Sequence, residues 1–334
     1  MHQVIARCRT GSSHIMRHKP CQDRLCHVQT PDFTLLAVAD GHGSAEYTRS
    51  GLGARFAVYA AQKVLPSDAP DEEVVADIKW LYDHLVARHL SRHPLSDREM
   101  ALLSAAKLHP VAAYGCTLAV AVIDYAHNST TRYCLGDSGV FSIDTSGHFP
   151  PPLPEDPACV GSATSSMCQS PETVKQHFRI QHLDGSIMAA VGVYSDGAEA
   201  EGWRAAEALF FKGTESMEDR VDKLLKLTDH GDDQTFVLAV DPEAVNTDDF
   251  QAGLAEEVHR GHQLLALTRG VEKRKQMETY LRLLLGKAKR LSGNEAVKFK
   301  DEVLRPAAEE FAALNNTIEV LRKEVLRKEL EEVP

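Results

Sequence analysis

Hydrophobic and polar positions follow different patterns in two parts of the chain. Up to about residue 240, short apolar runs typical of buried strands recur between segments with a helical period. After residue 245 no strand pattern recurs, and residues 250–334 have the periodicity of helices. We therefore predict one α+β domain over residues 1–245 and an all-α C-terminal extension over residues 246–334.

The apolar runs of the first part end in polar turns that are rich in glycine. Residues 34–39 predict a buried strand that stops at Asp40-Gly41-His42-Gly43, and residues 46–64 then take up a helical period. Further helices are predicted at 71–92 and 97–108, further strands at 116–124, 131–135, 140–144, 187–194 and 235–240, and a loop or flap at 150–171.

Composition narrows the class of protein. With 334 residues, 43% of them hydrophobic, the chain can bury a large core. No apolar run approaches the length of a membrane span, so no membrane association is expected. The seven cysteines form no closely spaced CxxC pair, a pattern that favours reduced thiols and a cytoplasmic protein.

Aspartates stand at the ends of the predicted strands: Asp23, Asp40, Asp137, Asp196 and Asp232. Two ionised carboxylates about 4 Å apart repel by about 4 kcal/mol at an effective dielectric of about 20. If the fold gathers these side chains, a bound cation must offset that repulsion. Ligand sets made only of oxygen favour Mg²⁺ or Mn²⁺ over zinc. Each loop taken alone is also an ordinary aspartate-glycine turn.

Six motifs follow one another along the first part of the chain: Cys-Gln-Asp, Val-Ala-Asp-Gly-His-Gly, Tyr-Gly-Cys-Thr-Leu, Leu-Gly-Asp-Ser-Gly, Tyr-Ser-Asp-Gly-Ala-Glu and Asp-Asp-Gln-Thr. Their order resembles the metal-dependent protein phosphatase family, type 2C, and is closest to its divergent bacterial branch. The resemblance covers about residues 1–245 and none of the extension. The resemblance implies a four-layer αββα sandwich, in which helices flank two antiparallel sheets.

The resemblance also implies a site for two Mn²⁺ or Mg²⁺ ions. Asp40 would bridge both ions, the carbonyl of Gly41 would bind the second, and Asp196 and Asp232 would hold the first. Asp23 would lie near the metals, and Asp137 matches an aspartate that helps to hold a third, weaker ion.

Two further residues are catalytic candidates, both with open alternatives. His42 is a candidate general acid, or a loop histidine that only positions Asp40. Many family members have a phosphate-binding arginine where this chain has His18. Arg17 is the candidate for binding the phosphate, if the loop is shifted by one residue relative to the family. His14 and Lys19 are the alternatives to Arg17 in this role.

These features predict a phosphoserine/phosphothreonine protein phosphatase that uses a metal-activated water and no covalent intermediate. The expected substrate is a phosphoprotein, a Ser/Thr kinase or its target. The alternative is a catalytically weak or inactive phosphatase-like domain that binds a phosphoprotein. Asp40, Asp196 and Asp232 are all present, which favours the active enzyme.

Two other kinds of site fit the sequence poorly. A serine protease with Ser138 as nucleophile needs a histidine base and usually an all-β scaffold, which the helices predicted over 71–108 contradict. A zinc site at His84, His89 and His93 lacks any HExxH or paired-cysteine pattern.

The extension is basic within an acidic chain. Residues 269–300 carry ten Lys or Arg and three Glu, whereas the whole chain has a net charge of −11. A short heptad pattern follows at Phe311, Leu314, Ile318, Leu321 and Val325. No nucleic-acid motif accompanies the basic segment, so nucleic acid is an unlikely partner. We expect these helices to pack on their neighbours, to regulate the first domain or to dock a protein partner.

Overall fold

The computed structural model describes residues 2–159, 164–185, 187–198, 202–211, 215–227 and 231–331. It consists of two compact units, Met1–Leu254 and Ala255–Pro334, which we describe separately. None of the described helices combines the length and the apolar character needed to cross a bilayer.

Two antiparallel sheets form the centre of the first unit. The strands are β1 Gln3–Arg9, β2 Arg24–Gln29, β3 Phe33–Ala39, β4 Leu118–Asp124, β5 Ser129–Leu135, β6 Gly139–Ile143, β7 Arg179–Asp184, β8 Ala190–Tyr194 and β9 Gln234–Val240. One sheet has the order β1-β9-β8-β6, and the other has the order β2-β3-β4-β5-β7.

Helices flank the sheets of the first unit and make up the second. They are α1 Ser12–Met16, α2 Ser50–Val64, α3 Asp71–Arg92, α4 Asp97–Ala105, α5 Pro171–His177, α6 Gly202–Phe210, α7 Met217–Leu227, α8 Asp248–Ala288, α9 Gly293–Phe299 and α10 Arg305–Glu331. Short 3₁₀ turns occur at Pro110–Tyr114, Asp196–Ala198 and Ala244–Asn246, and a π turn at Lys300–Leu304 precedes α10.

Strand β3 is buried on both faces. Leu36 and Val38 pack between the two sheets, in the same apolar cluster as Val191 and Val237. Because side chains alternate along a strand, the neighbouring residues of β3 point to the opposite face, where Ala37 joins the cluster that contains the small residues of α2. The α+β prediction is confirmed: helices flank two antiparallel sheets, and a helical stretch follows. Asp40 comes directly after this central strand.

The strands that the sequence did not predict are edge strands. β1 lies at one edge of the first sheet, and β2 and β7 lie at the two edges of the second. The sequences of β2 and β7, RLCHVQ and RIQHLD, are only partly buried, so polar residues interrupt the apolar pattern. By contrast, β3, β4 and β9 are almost fully buried, and their apolar runs were recognised.

Helix boundaries agree with the predictions to different degrees. α3 has the predicted bounds, whereas α2 begins at Ser50, four residues after the predicted start. α4 ends at Ala105 because Lys107 adopts a positive φ of 58°, which is incompatible with a continuing helix. Of the predicted flap at 150–171, residues 160–163 lie outside the described residues.

The first unit extends to Leu254 because the start of α8 packs into it. Phe250 and Leu254 are fully buried, and the ring of Phe250 meets that of Phe210 edge to face. Gly147 approaches the same backbone so closely that a Cβ atom there would lie 2.1 Å from the carbonyl oxygen of Phe250. The sequence prediction placed the end of the first domain earlier in the chain, at residue 245.

The heptad positions of α10 face a helix of the same unit. Ile318 is buried, and its side chain lies 3.1 Å from the position that a Cβ of Gly270 in α8 would take. Lys273 of α8 also pairs with Glu310 of α10, with an Nζ to Oε1 distance of 3.2 Å. The seam is therefore covered, at least at Ile318, by the chain's own α8.

Candidate active site

Four of the predicted aspartates line one cleft of about 820 Å³. Asp40 follows β3, Asp137 lies between β5 and β6, Asp196 follows β8, and Asp232 precedes β9. Glu46 adds a fifth carboxylate, and no lysine or arginine is among the described residues of the lining. Loops that are far apart in the sequence thus place five acidic side chains around one opening.

The backbone of Asp40 is fixed by Thr117, which directly precedes β4. The amide of Asp40 donates to Oγ1 of Thr117 at 3.1 Å, and the amide of Thr117 donates to the carbonyl of Asp40 at 2.8 Å. The next residue must be small, because a Cβ on Gly41 would lie 2.8 Å from the carbonyl oxygen of Gln22. Thr117 lies in the Tyr-Gly-Cys-Thr-Leu motif, but its role in holding Asp40 was not predicted.

Asp196 and Asp232 are held close together by the ends of β8 and β9. The amide of Ser195 donates to the carbonyl of Thr235 at 3.0 Å, and the amide of Thr235 donates to Oγ of Ser195 at 2.9 Å. Gly197 touches the other strand, since a Cβ there would lie 2.0 Å from the carbonyl oxygen of Asp233. A larger residue at position 197 would force the two loops apart.

Burial and mutual repulsion raise the pKa values of the gathered carboxyl groups. Burial is the main cause for Asp40, whose pKa lies well above its ordinary value, and Asp23 and Asp196 raise it further. Burial also raises the pKa of Asp23 to about 7, although the nearby side chains of Ser195 and Thr235 oppose this. Burial and then Asp196 raise the pKa of Asp137. In the absence of a bound cation, this site therefore disfavours the ionised form of its carboxyl groups.

Several carboxylate oxygens in this cluster have no hydrogen-bond donor. Both oxygens of Asp23 and Oδ1 of Asp196 are buried without a partner of acceptable geometry. Within the part of the chain that the structure describes, no three His, Cys, Asp or Glu side chains already have the arrangement of a formed metal site. The donor set, made of buried oxygens that lack a compensating charge, nevertheless fits a hard divalent cation.

His42 is partly buried in the lining of the cleft. Its ring meets Tyr47 edge to face with a centroid separation of 4.8 Å, and its amide donates to the carbonyl of Gly115. Burial lowers the pKa of His42 to about 4, against the opposing effects of Asp196 and Glu46. The imidazole is therefore neutral near pH 7 and donates through only one ring nitrogen. The general-acid role stays a prediction.

The candidate phosphate clamp does not reach the cleft. Arg17 ends α1 and is exposed, and His18 has a positive φ of 53°. Lys19 extends further toward the site, since its Nζ lies 3.3 Å from the carbonyl oxygen of Gly43. His14 is buried behind the cleft, with Nε2 3.9 Å from the carboxylate of Asp232.

Asp233 is a site residue that the sequence analysis missed. Its carboxylate accepts from the amide of Gly11 at 2.9 Å and from the amide of Gln22 at 2.6 Å, and it lies 3.0 Å from Nδ1 of His14. Its side chain is 2% exposed, whereas that of Asp232 is 61% exposed. Asp232 thus faces the cleft, and Asp233 fixes three segments behind it.

Ser138 is enclosed in the protein. It is buried, and its hydroxyl lies 2.6 Å from Oγ1 of Thr117, the same oxygen that binds the amide of Asp40. A triad nucleophile needs a histidine within hydrogen-bond reach, and the described contact of this hydroxyl is with a threonine. The geometry favours Asp137 over Ser138 as the chemically relevant residue of this loop.

A family model described as Protein phosphatase 2C matches residues 10–233, a segment that contains the described residues of the cleft and strands β2 to β8. The chain belongs to the protein phosphatase 2C family. No curated protein matches it significantly.

A solved bacterial serine phosphatase shares the fold of this protein phosphatase 2C domain. A bacterial serine phosphatase with a single arginine-to-lysine substitution has 14% identity and a TM-score of 0.50, and the match covers 72% of this chain and 97% of that one. The serine/threonine phosphatase Stp1 from Staphylococcus aureus has 14% identity and a TM-score of 0.49, with 72% and 95% covered.

Proposed function

We propose that this protein is a metal-dependent phosphoserine/phosphothreonine protein phosphatase. The observation that carries the proposal is the set of buried carboxylate oxygens without partners, both oxygens of Asp23 and Oδ1 of Asp196, beside Asp40 at an open cleft. Buried charges without partners are costly, so a fold that keeps them favours a ligand that compensates them. The protein phosphatase 2C family supplies the reaction class.

Asp40, Asp196, Asp232 and the carbonyl of Gly41 are the groups that would hold two Mn²⁺ or Mg²⁺ ions. Asp137 would contribute to a third, weaker site, and Asp23 supports the cluster from the buried side. When bound, divalent cations supply the positive charge that activates a water for attack and offsets charge on the phosphoryl oxygens.

The protein's own residues set the geometry of this site. Thr117 fixes Asp40 through two hydrogen bonds, and the paired ends of β8 and β9 fix Asp196 relative to Asp232. The five carboxylates of the cleft repel a phosphomonoester dianion, so substrate binding depends on the cations. His42, as a neutral imidazole, can donate one hydrogen bond to a leaving oxygen. Direct hydrolysis needs no nucleophilic side chain.

A second candidate function is a weakly active or inactive phosphatase-like domain that binds a phosphoprotein. The exposed position of Arg17 favours it, because no described cation of the chain lines the cleft to clamp the phosphate. Lys19, near Gly43, is the cation best placed to take that role in an active enzyme.

Turnover of p-nitrophenyl phosphate and of a phosphothreonine peptide tests the proposal. We expect activity with Mn²⁺ or Mg²⁺, none with chelator, and none in Asp40→Asn. Ser138→Ala, a substitution on the same loop system, is the control and keeps most of the activity. Metal binding by calorimetry without turnover would instead support the phosphoprotein-binding domain.

We also infer a phosphoprotein substrate, a Ser/Thr kinase or its target, and a cytoplasmic location. The seven free cysteines support a reducing compartment. The helices of the second unit are the candidate surface for a protein partner or for regulation.

A further inference from the structure

Two thiols lie in contact beside the candidate active site. Sγ of Cys8 and Sγ of Cys21 are 3.5 Å apart. Cys8 is exposed on the edge strand β1, and Cys21 is partly buried in the segment that leads into β2. The pair is therefore accessible from solvent through Cys8.

Both cysteines are linked to the elements that build the cleft. Cys8 is paired with Thr235 in the ladder of β1 and β9, and Oγ1 of Thr235 lies 3.3 Å from its sulfur. Cys21 is followed by Gln22, whose amide binds the Asp233 carboxylate and whose side chain donates to Oγ of Ser50 at 2.5 Å. Cys21 therefore lies two residues before Asp23, and Cys8 lies opposite the strand that follows Asp232.

The exposed thiol is the more reactive of the two. The hydrogen bond from Cys21 is the main cause that lowers the pKa of Cys8 to about 6, and the contact with Thr235 adds to it. Thiolates attack peroxides, whereas thiols do so poorly. Cys26 has a different environment, since its sulfur donates to the carbonyl of Val58 at 3.7 Å and burial raises its pKa to about 11.

We propose that Cys8 and Cys21 form a site of reversible oxidative modification, at which a hydroperoxide converts the two thiols into a disulfide. The Cys8 thiolate attacks the peroxide oxygen, the O–O bond breaks, and Cys8 becomes a sulfenic acid. The leaving alkoxide or hydroxide takes one proton from solvent, which replaces the proton that Cys8 lost on ionisation, and departs as alcohol or water. The Cys21 sulfur then attacks the Cys8 sulfur, the S–O bond breaks, and water leaves with the Cys21 proton. Two electrons pass from the thiols to the peroxide, and a dithiol reverses the change.

Closing the bond moves the Cys21 segment. The sulfurs must approach from 3.5 Å to about 2.05 Å. Gln22, between Cys21 and Asp23, is hydrogen-bonded to Asp233 and to Ser50. Movement of Cys21 therefore strains these two hydrogen bonds and with them the position of Asp23. We expect the disulfide form to bind Mn²⁺ more weakly and to turn over more slowly. This effect on turnover rests on the proposed phosphatase function, whereas formation of the disulfide does not.

The test treats the full chain with hydrogen peroxide and maps disulfides by differential alkylation and mass spectrometry. The wild type and the Cys26→Ser control should give a Cys8–Cys21 link that dithiothreitol removes, and Cys8→Ser should give none. Turnover of p-nitrophenyl phosphate should fall about tenfold or more, since displacements of about 1 Å at positioned groups strongly affect rates. Cys8→Ser should keep its turnover under peroxide.

Three results would overturn the inference or part of it. If peroxide gives no Cys8–Cys21 link, or gives only sulfinic acids, the modification site is wrong. If the link forms while turnover and calorimetric Mn²⁺ affinity both stay unchanged, the coupling to the cleft is wrong. If the reduced protein has no turnover with any metal, the proposed function fails, and the peptide map still decides the modification.

Discussion

Two groups of aspartates with buried carboxylate oxygens, at the same end of the sandwich, differ in their partners. Both oxygens of Asp233 accept backbone N–H groups, from Gly11 and Gln22. Neither oxygen of Asp23 has a donor of acceptable geometry, and Oδ1 of Asp196 has none either. The comparison shows that burial of a carboxylate does not by itself indicate a functional site. The absence of a partner for a buried charge is what separates the two groups.

The two groups have opposite effects on stability. The satisfied carboxylate of Asp233 joins three segments and stabilises the fold through charge-assisted hydrogen bonds. The cluster of Asp23, Asp40 and Asp196 destabilises the metal-free fold, because each negative charge raises the cost of the next. Substitutions that remove one carboxylate at a time test this difference.

The largest effect is expected for Asp40→Asn. The change should lower kcat/KM about a thousandfold or more, equivalent to about 4 kcal/mol of transition-state stabilisation. The free energy of unfolding of the metal-free protein should stay the same or rise, because a repelled buried charge is removed. Steady-state kinetics with Mn²⁺ and urea unfolding with chelator measure the two effects. Metal-dependent turnover within tenfold of wild type would contradict the assigned role of Asp40.

Asp233→Ala should show the opposite behaviour. It leaves the amides of Gly11 and Gln22 without their acceptor and should lower the free energy of unfolding by about 3 kcal/mol. Urea unfolding in chelator isolates this structural effect from metal binding. An unfolding midpoint equal to that of wild type would show that Asp233 does not hold these segments.

Asp232→Asn is the matched substitution at the neighbouring residue. Its carboxylate faces the cleft, so the change should lower kcat/KM about a hundredfold, or about 2.7 kcal/mol. Its side chain is 61% exposed, so the urea midpoint should hardly change. Kinetics and unfolding on the same preparation distinguish the two aspartates. If Asp232→Asn destabilised the fold as strongly as Asp233→Ala, the division between them would be wrong.

The pH dependence of metal-free stability gives a smaller and more specific test. Burial raises the folded-state pKa of Asp23 to about 7, above its ordinary value of 3.8. Between these pH values the folded state binds a proton that the unfolded state has lost, so stability falls as pH rises, by at most about 1.4 kcal/mol per pH unit. His42, whose folded-state pKa is lowered to about 4, acts in the opposite direction up to its ordinary value.

The contribution of Asp23 is therefore measured as a difference. The unfolding free energy of wild type minus that of Asp23→Asn should decrease between about pH 4 and pH 7, and should level off at lower pH. Because His42 is present in both proteins, its effect largely cancels. A difference that increases with pH would mean that Asp23 is stabilised as a carboxylate in the metal-free fold.

The sequence predicted the residues that face the cleft better than the residues that support them. Asp40, Asp137, Asp196 and Asp232 stand in recognisable loops at strand ends, and the structure brings all four together. The role of Asp233 depends on backbone amides more than 200 residues away, at Gly11 and Gln22. Because the donors are backbone amides, any residue other than proline could supply them. The sequence therefore contains no pattern that would indicate these hydrogen bonds.

The same limit explains the other differences. Edge strands β2 and β7 were missed because their half-exposed sequences lack a continuous apolar run. Arg17 and Lys19 both lie beside the expected clamp position, and the structure leaves Arg17, at the end of α1, exposed. The order of the motifs predicts which loops come together. It does not predict the direction of a long side chain, such as that of Arg17, outside those motifs.

The smallest effect is expected for Ser138→Ala, and it separates the two chemical interpretations of the Gly-Asp-Ser-Gly loop. Removal of the hydroxyl deletes its hydrogen bond with Thr117 and should cost about 1 kcal/mol of stability. Thr117 still accepts from the amide of Asp40, so kcat/KM should stay within about threefold, or about 0.7 kcal/mol. A fall of a thousandfold with Mn²⁺ affinity intact would instead make Ser138 a reacting group. Asp137→Asn is the companion measurement, because a cation that Asp137 helps to hold would then be lost while the Ser138 hydroxyl remains.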